Sequence, residues 1–403
     1  MAKPLLVVTV CLVGLLSNAG ASIPYPLLPP LFADGQVNAL NNFAGLPPKL
    51  LLGVALAINP LGLLIGTALL GPLSDRYGRR NILLGTTLIS ALGHLATAAS
   101  LFLQNYPLFL LTRFLTGLAE GNNAVARAML SDELQGENRL RAFAWFNGAM
   151  TSGWLVGPLL TGATIHWGDT APFIVAAVIL VLTVLMGLFV FPKNACSSSV
   201  EGFWHNVRQH HSFTLLRYPS LRQLFTLQLT YTLGVTAFYQ YYPLWLVEFL
   251  GMDVRHISLT NAVQTIIMSA TSFLVAQWGS SRLGADKLHH YALLAAACIA
   301  LTPLTGPMVG LVMLVAFGVP HTLYNTILPV HCSERFAVHG QGAVMGLLGA
   351  TFCVSNVLVS LVGAGVTLFD TRLMLLLGAA ASAWAGWRIA HWAKSAHLQE
   401  ARA

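Results

Sequence analysis

The chain has 403 residues, 56% of them hydrophobic and 9% charged, with a mean hydropathy of +0.69. A soluble globular protein carries about 25% charged residues, so this composition excludes a soluble fold and fits a chain whose surface is mostly solvated by lipid. The net charge of +7 comes without a basic run long enough to hold nucleic acid, and in a membrane chain it poses a question of sidedness instead.

A helix needs about 20 apolar residues to cross the hydrocarbon core. That window predicts twelve spans, near 4–24, 48–70, 81–102, 106–128, 142–165, 170–191, 221–247, 256–278, 288–305, 307–329, 341–368 and 372–392. The first begins like a cleavable leader, with Lys3, an apolar run from Pro4 to Leu16 and the small residues NAGAS. The further spans, and the continuation from Pro24 to Phe32, favour a retained first helix.

Between the second and third spans lies GPLSDRYGRR, Gly71 to Arg80, one acid and three arginines in ten residues. In the fourth span Arg113, Gly117 and Glu120 stand at i, i+4 and i+7 and share a face. A charge at mid-bilayer costs about 2.5–3.5 kcal/mol on insertion scales, so two on one face point to a polar cavity. Arg113 keeps its proton at all accessible pH; Glu120 can exchange one. Glu120 is therefore the leading proton carrier and Arg113 its modulator or a ligand contact. The competing reading makes Glu120 a structural partner of Arg113 or Arg127. In the fifth span, GWLVGPLLTG brings Gly153, Gly157 and Gly162 near one face beside Pro158, a pattern for close helix packing.

The longest polar interval, Lys193 to Arg222, separates six spans from six. Phe203, Trp204 and Val207 oppose Arg208 on a short amphipathic stretch there, suited to an interfacial helix. His205, His210 and His211 lack a supporting carboxylate or cysteine and read as a solvated loop, so no metal is expected. In the second half GSSRLGADK, Gly279 to Lys287, is a faint echo of the first-half turn. Of the five cysteines, Cys196 and Cys332 fall in loops and the other three in spans, a scatter without disulfide or metal spacing. His321 lies inside a span and is the second candidate proton site.

With the N-terminus in the cytoplasm, all 21 Lys and Arg lie inside except Lys49, Arg255 and Arg372 outside and Arg113 in mid-span. Both termini are therefore expected in the cytoplasm of an inner (plasma) membrane, with GPLSDRYGRR a cytoplasmic turn.

GPLSDRYGRR resembles the G-x-x-x-D-R-x-G-R-R/K signature of the major facilitator superfamily, in residue type, spacing and position. RFLTGLAEG, Arg113 to Gly121, resembles that family's helix-four pattern. GWLVGPLLTG resembles the helix-five pattern of its antiporter branches, departing at Thr161 where the family has glycine. Local likeness is best from Pro24 to Gly162, where the chain is similar to the drug/proton antiporters that include tetracycline exporters.

The resemblance implies an all-α polytopic membrane protein with twelve transmembrane helices in two six-helix bundles, 1–192 and 221–403, joined by a cytoplasmic linker, 193–220. It implies alternating access to a central site. Gly71, Asp75, Arg76, Gly78, Arg79, Arg80 and Asp132 would form a cytoplasmic latch: Asp75 at the N-terminus of helix eleven near Gly340 to Ala343, Arg79 paired with Asp132. The glycines at 71 and 78 would allow the tight connection. Gly153, Gly157, Pro158 and Gly162 would carry the antiporter packing. The lining helices would offer Asn18, Tyr25, Asn122, Asn123, Gln228, Tyr231, Tyr239, Gln240, Tyr324 and Asn325, with Gln264 and Asn356 from neighbouring spans. Aromatic and amide groups suit an amphiphilic organic ligand, although for each residue alone an interhelical hydrogen bond is the favoured reading.

The expected function is proton-coupled export of a drug, siderophore or other metabolite; nutrient uptake and a non-transporting sensor or assembly factor are the alternatives. No P-loop and no clustered catalytic set are present in the sequence, so neither an enzyme nor a cofactor is expected. The expected partners are a small-molecule substrate, protons and the lipid bilayer, with the chain acting as a monomer.

Overall fold

A computed structural model describes residues 2–33, 37–192, 216–278, 287–335 and 341–400. Among them are fifteen α-helices: α1 Ala2–Ser22, α2 Pro24–Ala33, α3 Pro48–Tyr77, α4 Arg79–Phe102, α5 Tyr106–Glu120, α6 Asn123–Glu133, α7 Gly136–Thr164, α8 Ala171–Val190, α9 Pro219–Leu250, α10 Val254–Trp278, α11 Leu288–Leu304, α12 Pro307–Ala316, α13 Gly318–Arg335, α14 Gln341–Val366 and α15 Thr371–Glu400. No strand occurs among the described residues.

Three pairs make single spans with an interruption. Residues 3–33 of α1–α2 and 307–328 of α12–α13 each run as one apolar stretch. Between α5 and α6, Gly121 (φ −65°, ψ 8°) and Asn122 (φ −77°, ψ 1°) stay on the right-handed side of conformational space, so the rod is loosened without turning back. Twelve helical segments result. Eight are long and apolar enough to cross a membrane by length and composition alone. The other four fall short for visible reasons. The α5–α6 rod is interrupted, α7 opens with the polar run GENRLR, α9 is rich in Thr, Tyr and Gln, and α11 has 17 residues.

The outward faces explain the composition. On α8, Phe173, Ala177, Leu180 and Val184 are buried while Val178, Leu182, Leu185 and Phe189 are exposed. A helix apolar all round belongs in lipid.

The chain divides into two compact units, Met1–His211 with Asp253–Leu259, and Ser212–Met252 with Thr260–Ala403. In the first, α1 packs on α7, α3 on α5, and α4 on both α5 and α8. One of its clusters joins Leu6, Val10 and Val13 of α1 to Leu83, Val125, Met129, Leu130 and Phe146. In the second, α15 packs on α9 and α11, and α14 on α9.

The crossing of α3 and α5 is the tightest feature that bears on the site. Gly62 and Gly66 of α3 abut the backbone of Phe114 and Leu118, and Gly117 and Gly121 of α5 abut the backbone at Asn59 and Gly66. Two glycines four apart on each helix let the backbones touch.

Three expectations change. The helix of the second span runs on through Asp75 to Tyr77, and Gly78 (φ +89°) alone turns the chain into α4. Gly71 is therefore helical, with open space where a Cβ would sit, and contributes nothing to the turn. Cys332, expected in a loop, is buried within α13; the polar run HCSER ends the apolar window, but a helix ladder needs only backbone groups. The linker residues 193–215 with their amphipathic stretch and histidines, the 279–286 echo, and Gly340 lie outside the described residues.

Replacing Gly62 by Val forces side-chain atoms into the α5 backbone. The expected cost is about 1–3 kcal/mol, read as a lower thermal unfolding midpoint in detergent. Gly85→Val, where a Cβ meets open space, should leave the midpoint unchanged.

Candidate functional site

Four polar side chains from three helices converge inside the first unit: Asn59 of α3, His94 of α4, and Arg113 and Glu120 of α5. Their exposures are 5%, 0%, 1% and 1%. The glycine seam sets the distance. Because Gly117 has no side chain, Asn59 lies directly on α5, and its Nδ2 donates to Glu120 Oε2 at 3.0 Å and to the Arg113 carbonyl at 3.3 Å. From the other side His94 Nε2 comes within 3.3 Å of Glu120 Oε1, near enough for charge pairing but off the line of a directed hydrogen bond. Gly20 of α1 closes the box: a Cβ there would strike both His94 and Glu120 Oε1.

Arg113 does not form an ion pair with Glu120 among the described contacts. Its guanidinium carbon lies 5.9 Å from the Phe173 ring, the ring on which His94 stacks with centroids 5.9 Å apart. Arg113 Nη1, both imidazole nitrogens of His94 and Glu120 Oε1 have no hydrogen-bond partner among the described residues. Buried charges left so incompletely paired are costly and concentrate where a group must gain or lose a partner.

Asn122, next to Glu120 at the helix break, donates to Thr86 Oγ1 at 3.0 Å and accepts from Ser17 Oγ at 3.4 Å. Asn123 is half-buried, and its Oδ1 has no partner among the described residues. Asn18 donates to the Met150 carbonyl at 2.8 Å, tying α1 to α7. Tyr25 meets Trp154 edge-on. Gly153 and Gly157 of α7 abut the α1 backbone at Leu15 and Ala19, Gly162 abuts Ser258 of the same unit, and Pro158 lies inside α7. Thr161, where the family pattern has glycine, donates to the Ile23 carbonyl at 3.3 Å.

At the α3–α4 turn, Arg79 Nη1 is 2.5 Å from Asp75 Oδ1 and its Nε is 3.3 Å from Asp132 Oδ2. One guanidinium thus bridges two acids. Arg80 donates to the Leu188 carbonyl at the C-terminal end of α8 at 2.7 Å, where a cation is favoured. Arg76 lies over the Tyr77 ring. The side chains of 341–343, expected to receive Asp75, lie outside the described residues.

The second unit holds an aromatic and amide cluster with no buried Asp, Glu, Lys or Arg among its described residues. His321 stacks on Phe317, meets Tyr239 edge-on, lies 3.3 Å from the Tyr231 hydroxyl and 2.9 Å from Asn325 Nδ2. Tyr324 packs tilted against Tyr231 with centroids 3.8 Å apart and donates to Gln228 Oε1 at 3.1 Å. These seven residues come together. Gln240, Asn356 and Ser360 instead lace α9 to α14, and Gln264 binds the Leu314 carbonyl.

Sequence reasoning missed His94 and Asn59. The signal was available: each is a lone polar side chain in an apolar span, in ALGHLAT and AINPLG, the ground on which Arg113 was singled out.

A family model described as Major Facilitator Superfamily matches residues 10–360. The class B tetracycline resistance protein of Escherichia coli is 29% identical over 181 residues, 44% of this chain and 42% of that protein. The staphyloferrin B transporter of Staphylococcus aureus is 25% identical over 375 residues, 88% of this chain and 84% of that one. The chain spans less than half the length of the tetracycline relatives it matches. In fold it is similar to a D-xylose-proton symporter (TM-score 0.75, 15% identity, 96% of this chain and 97% of that one) and to the human organic anion transporter MFSD10 (TM-score 0.65, 19% identity, 96% and 100%). With a family match across most of its length, and twelve helical segments in two units, the chain belongs to the major facilitator superfamily of multi-pass membrane transporters.

Proposed function

We propose that the protein is a proton-coupled exporter of a small amphiphilic organic molecule, working by alternating access in an inner (plasma) membrane with both termini cytoplasmic. The observation that carries this reading is Glu120, a carboxylate only 1% exposed on a membrane-embedded helix, facing a histidine and an amide. An ionisable group held at that depth marks an ion or proton path. A proton crossing 100 mV gains about 2.3 kcal/mol before any pH gradient. Likeness to tetracycline resistance proteins over 44% of the chain favours export, and the staphyloferrin B transporter brings siderophores among the candidate substrates.

In this reading Glu120 carries the proton and Arg113 balances its charge; His321 is the second candidate. The cluster of Gln228, Tyr231, Tyr239, Tyr324 and Asn325 supplies an aromatic, hydrogen-bonding surface for ligand. Asn18, Gln240, Gln264 and Asn356, each engaged between helices, act chiefly as scaffold. The α7 glycines keep α1 and α7 close enough to move as one. Asp75, Arg79 and Asp132 form the cytoplasmic latch, with one guanidinium holding two acids.

Purified protein in liposomes, given an imposed pH gradient, tests this with tetracycline and a polycarboxylate siderophore as probes. Accumulation of either in the antiport direction supports export, accumulation in the symport direction replaces it with uptake, and movement of neither overturns it. Glu120→Gln should reduce gradient-driven transport to background while probe binding persists; transport as in the unaltered protein would remove Glu120 from the path. Asp75→Asn should slow transport severalfold while its unfolding midpoint hardly moves, because an exposed ion pair is worth about 0–1 kcal/mol. Unchanged transport at equal expression would refute the latch.

A further inference from the structure

Glu120 does not face the polar interior alone. Its unpaired oxygen lies 3.3 Å from His94 Nε2, and both residues lie against the same wall, the α1 backbone at Gly20. Resting on the reading of Glu120 as proton carrier, we infer that His94 and Glu120 bind the exchangeable proton as one unit, with the imidazole relaying it to the carboxylate.

Three features of the box support this. Asn59 already donates to Oε2, whereas Oε1 has no hydrogen-bond partner among the described residues and faces His94. His94 Nδ1 has no partner among the described residues and can accept a proton while Nε2 gives its own to Oε1. The imidazole then emerges in the other tautomer, and the proton count balances at one taken up and one delivered. The charge inventory also closes. Arg113 is the permanent cation of the box, from α5 itself. The other groups facing the pair are the amide of Asn59 from α3, the Phe173 ring from α8 and the Gly20 backbone from α1; Tyr25 is the remaining titratable neighbour of Arg113. Arg113 and ionised Glu120 sum to zero, and the added proton gives the box a single positive charge.

Gly20 adds a mechanical element. A side chain at position 20 would strike both His94 and Glu120 Oε1, so the bare α1 backbone there is what lets the two groups meet.

The test is proton uptake by the purified, liposome-reconstituted protein on acidification, followed with a pH-indicator dye, in the unaltered chain and in Glu120→Gln, His94→Gln and Gly20→Ala. Loss of one bound proton in E120Q establishes the Glu120 step. In H94Q and in G20A the same proton should be taken up, but more slowly after an acid jump, because the imidazole route to Oε1 is removed or wedged apart. If E120Q keeps the step, the underlying reading of Glu120 fails. If E120Q loses it while H94Q and G20A take the proton up at the rate of the unaltered chain, only the shared unit is overturned. Should H94Q misfold, NMR of the ¹⁵N-histidine-labelled protein decides: the His94 ring must change state together with the Glu120 step, and a ring that stays constant through it contradicts the relay.

Discussion

A carboxylate withheld from water on a lipid-embedded helix is the constraint to which the first unit answers. An isolated buried charge costs several kcal/mol even after relaxation, and lipid offers nothing to offset it. Glu120 is tolerable because Asn59 reaches it at 3.0 Å, His94 at 3.3 Å, and Arg113 supplies the opposite charge from the same helix. That arrangement depends in turn on the bare backbones of α3 and α5. Side chains at Gly62, Gly66 or Gly117 would separate the helices and strand the carboxylate. The glycine seam and the charge are one device.

The helix break beside Glu120 fits the same logic. At Gly121 and Asn122 the α5 ladder loosens where a proton would have to move, and Asn122 is steadied by Thr86 and Ser17. Irregular backbone at membrane depth is tolerated where it is buried in protein. The two units divide their chemistry. Buried charge belongs to the first. The second offers stacked phenols, an imidazole and amides, with no buried formal charge among its described residues.

Much of this was legible in the sequence. The twelve segments followed from apolar length, because lipid imposes a minimum run that soluble proteins do not need. Arg113 and Glu120 stood out as charges in a greasy span. The limits were equally physical. Apolar windows stop at the first polar residues, whereas helices do not, so α3 ran on through Asp75 and α13 through Cys332. Gly71 and Gly78 look alike in a string of letters, yet only Gly78 adopts a positive φ. Periodicity places a side chain on a face of its own helix but not against another helix. Hence Arg113 and Glu120, neighbours on one face, were natural partners on paper, while the residues that meet Glu120 are His94 and Asn59 from two other spans. The same limit hid the hydrogen bond between Gln240 and Asn356, which links α9 to α14.

The central claim is that Glu120 changes protonation state inside the folded, membrane-embedded protein. Infrared difference spectroscopy of the reconstituted chain reads this directly. Acidification should raise a protonated-carboxyl C=O stretch that is missing from Glu120→Gln. A spectrum in which that band is identical in the two proteins, or never appears, would contradict it.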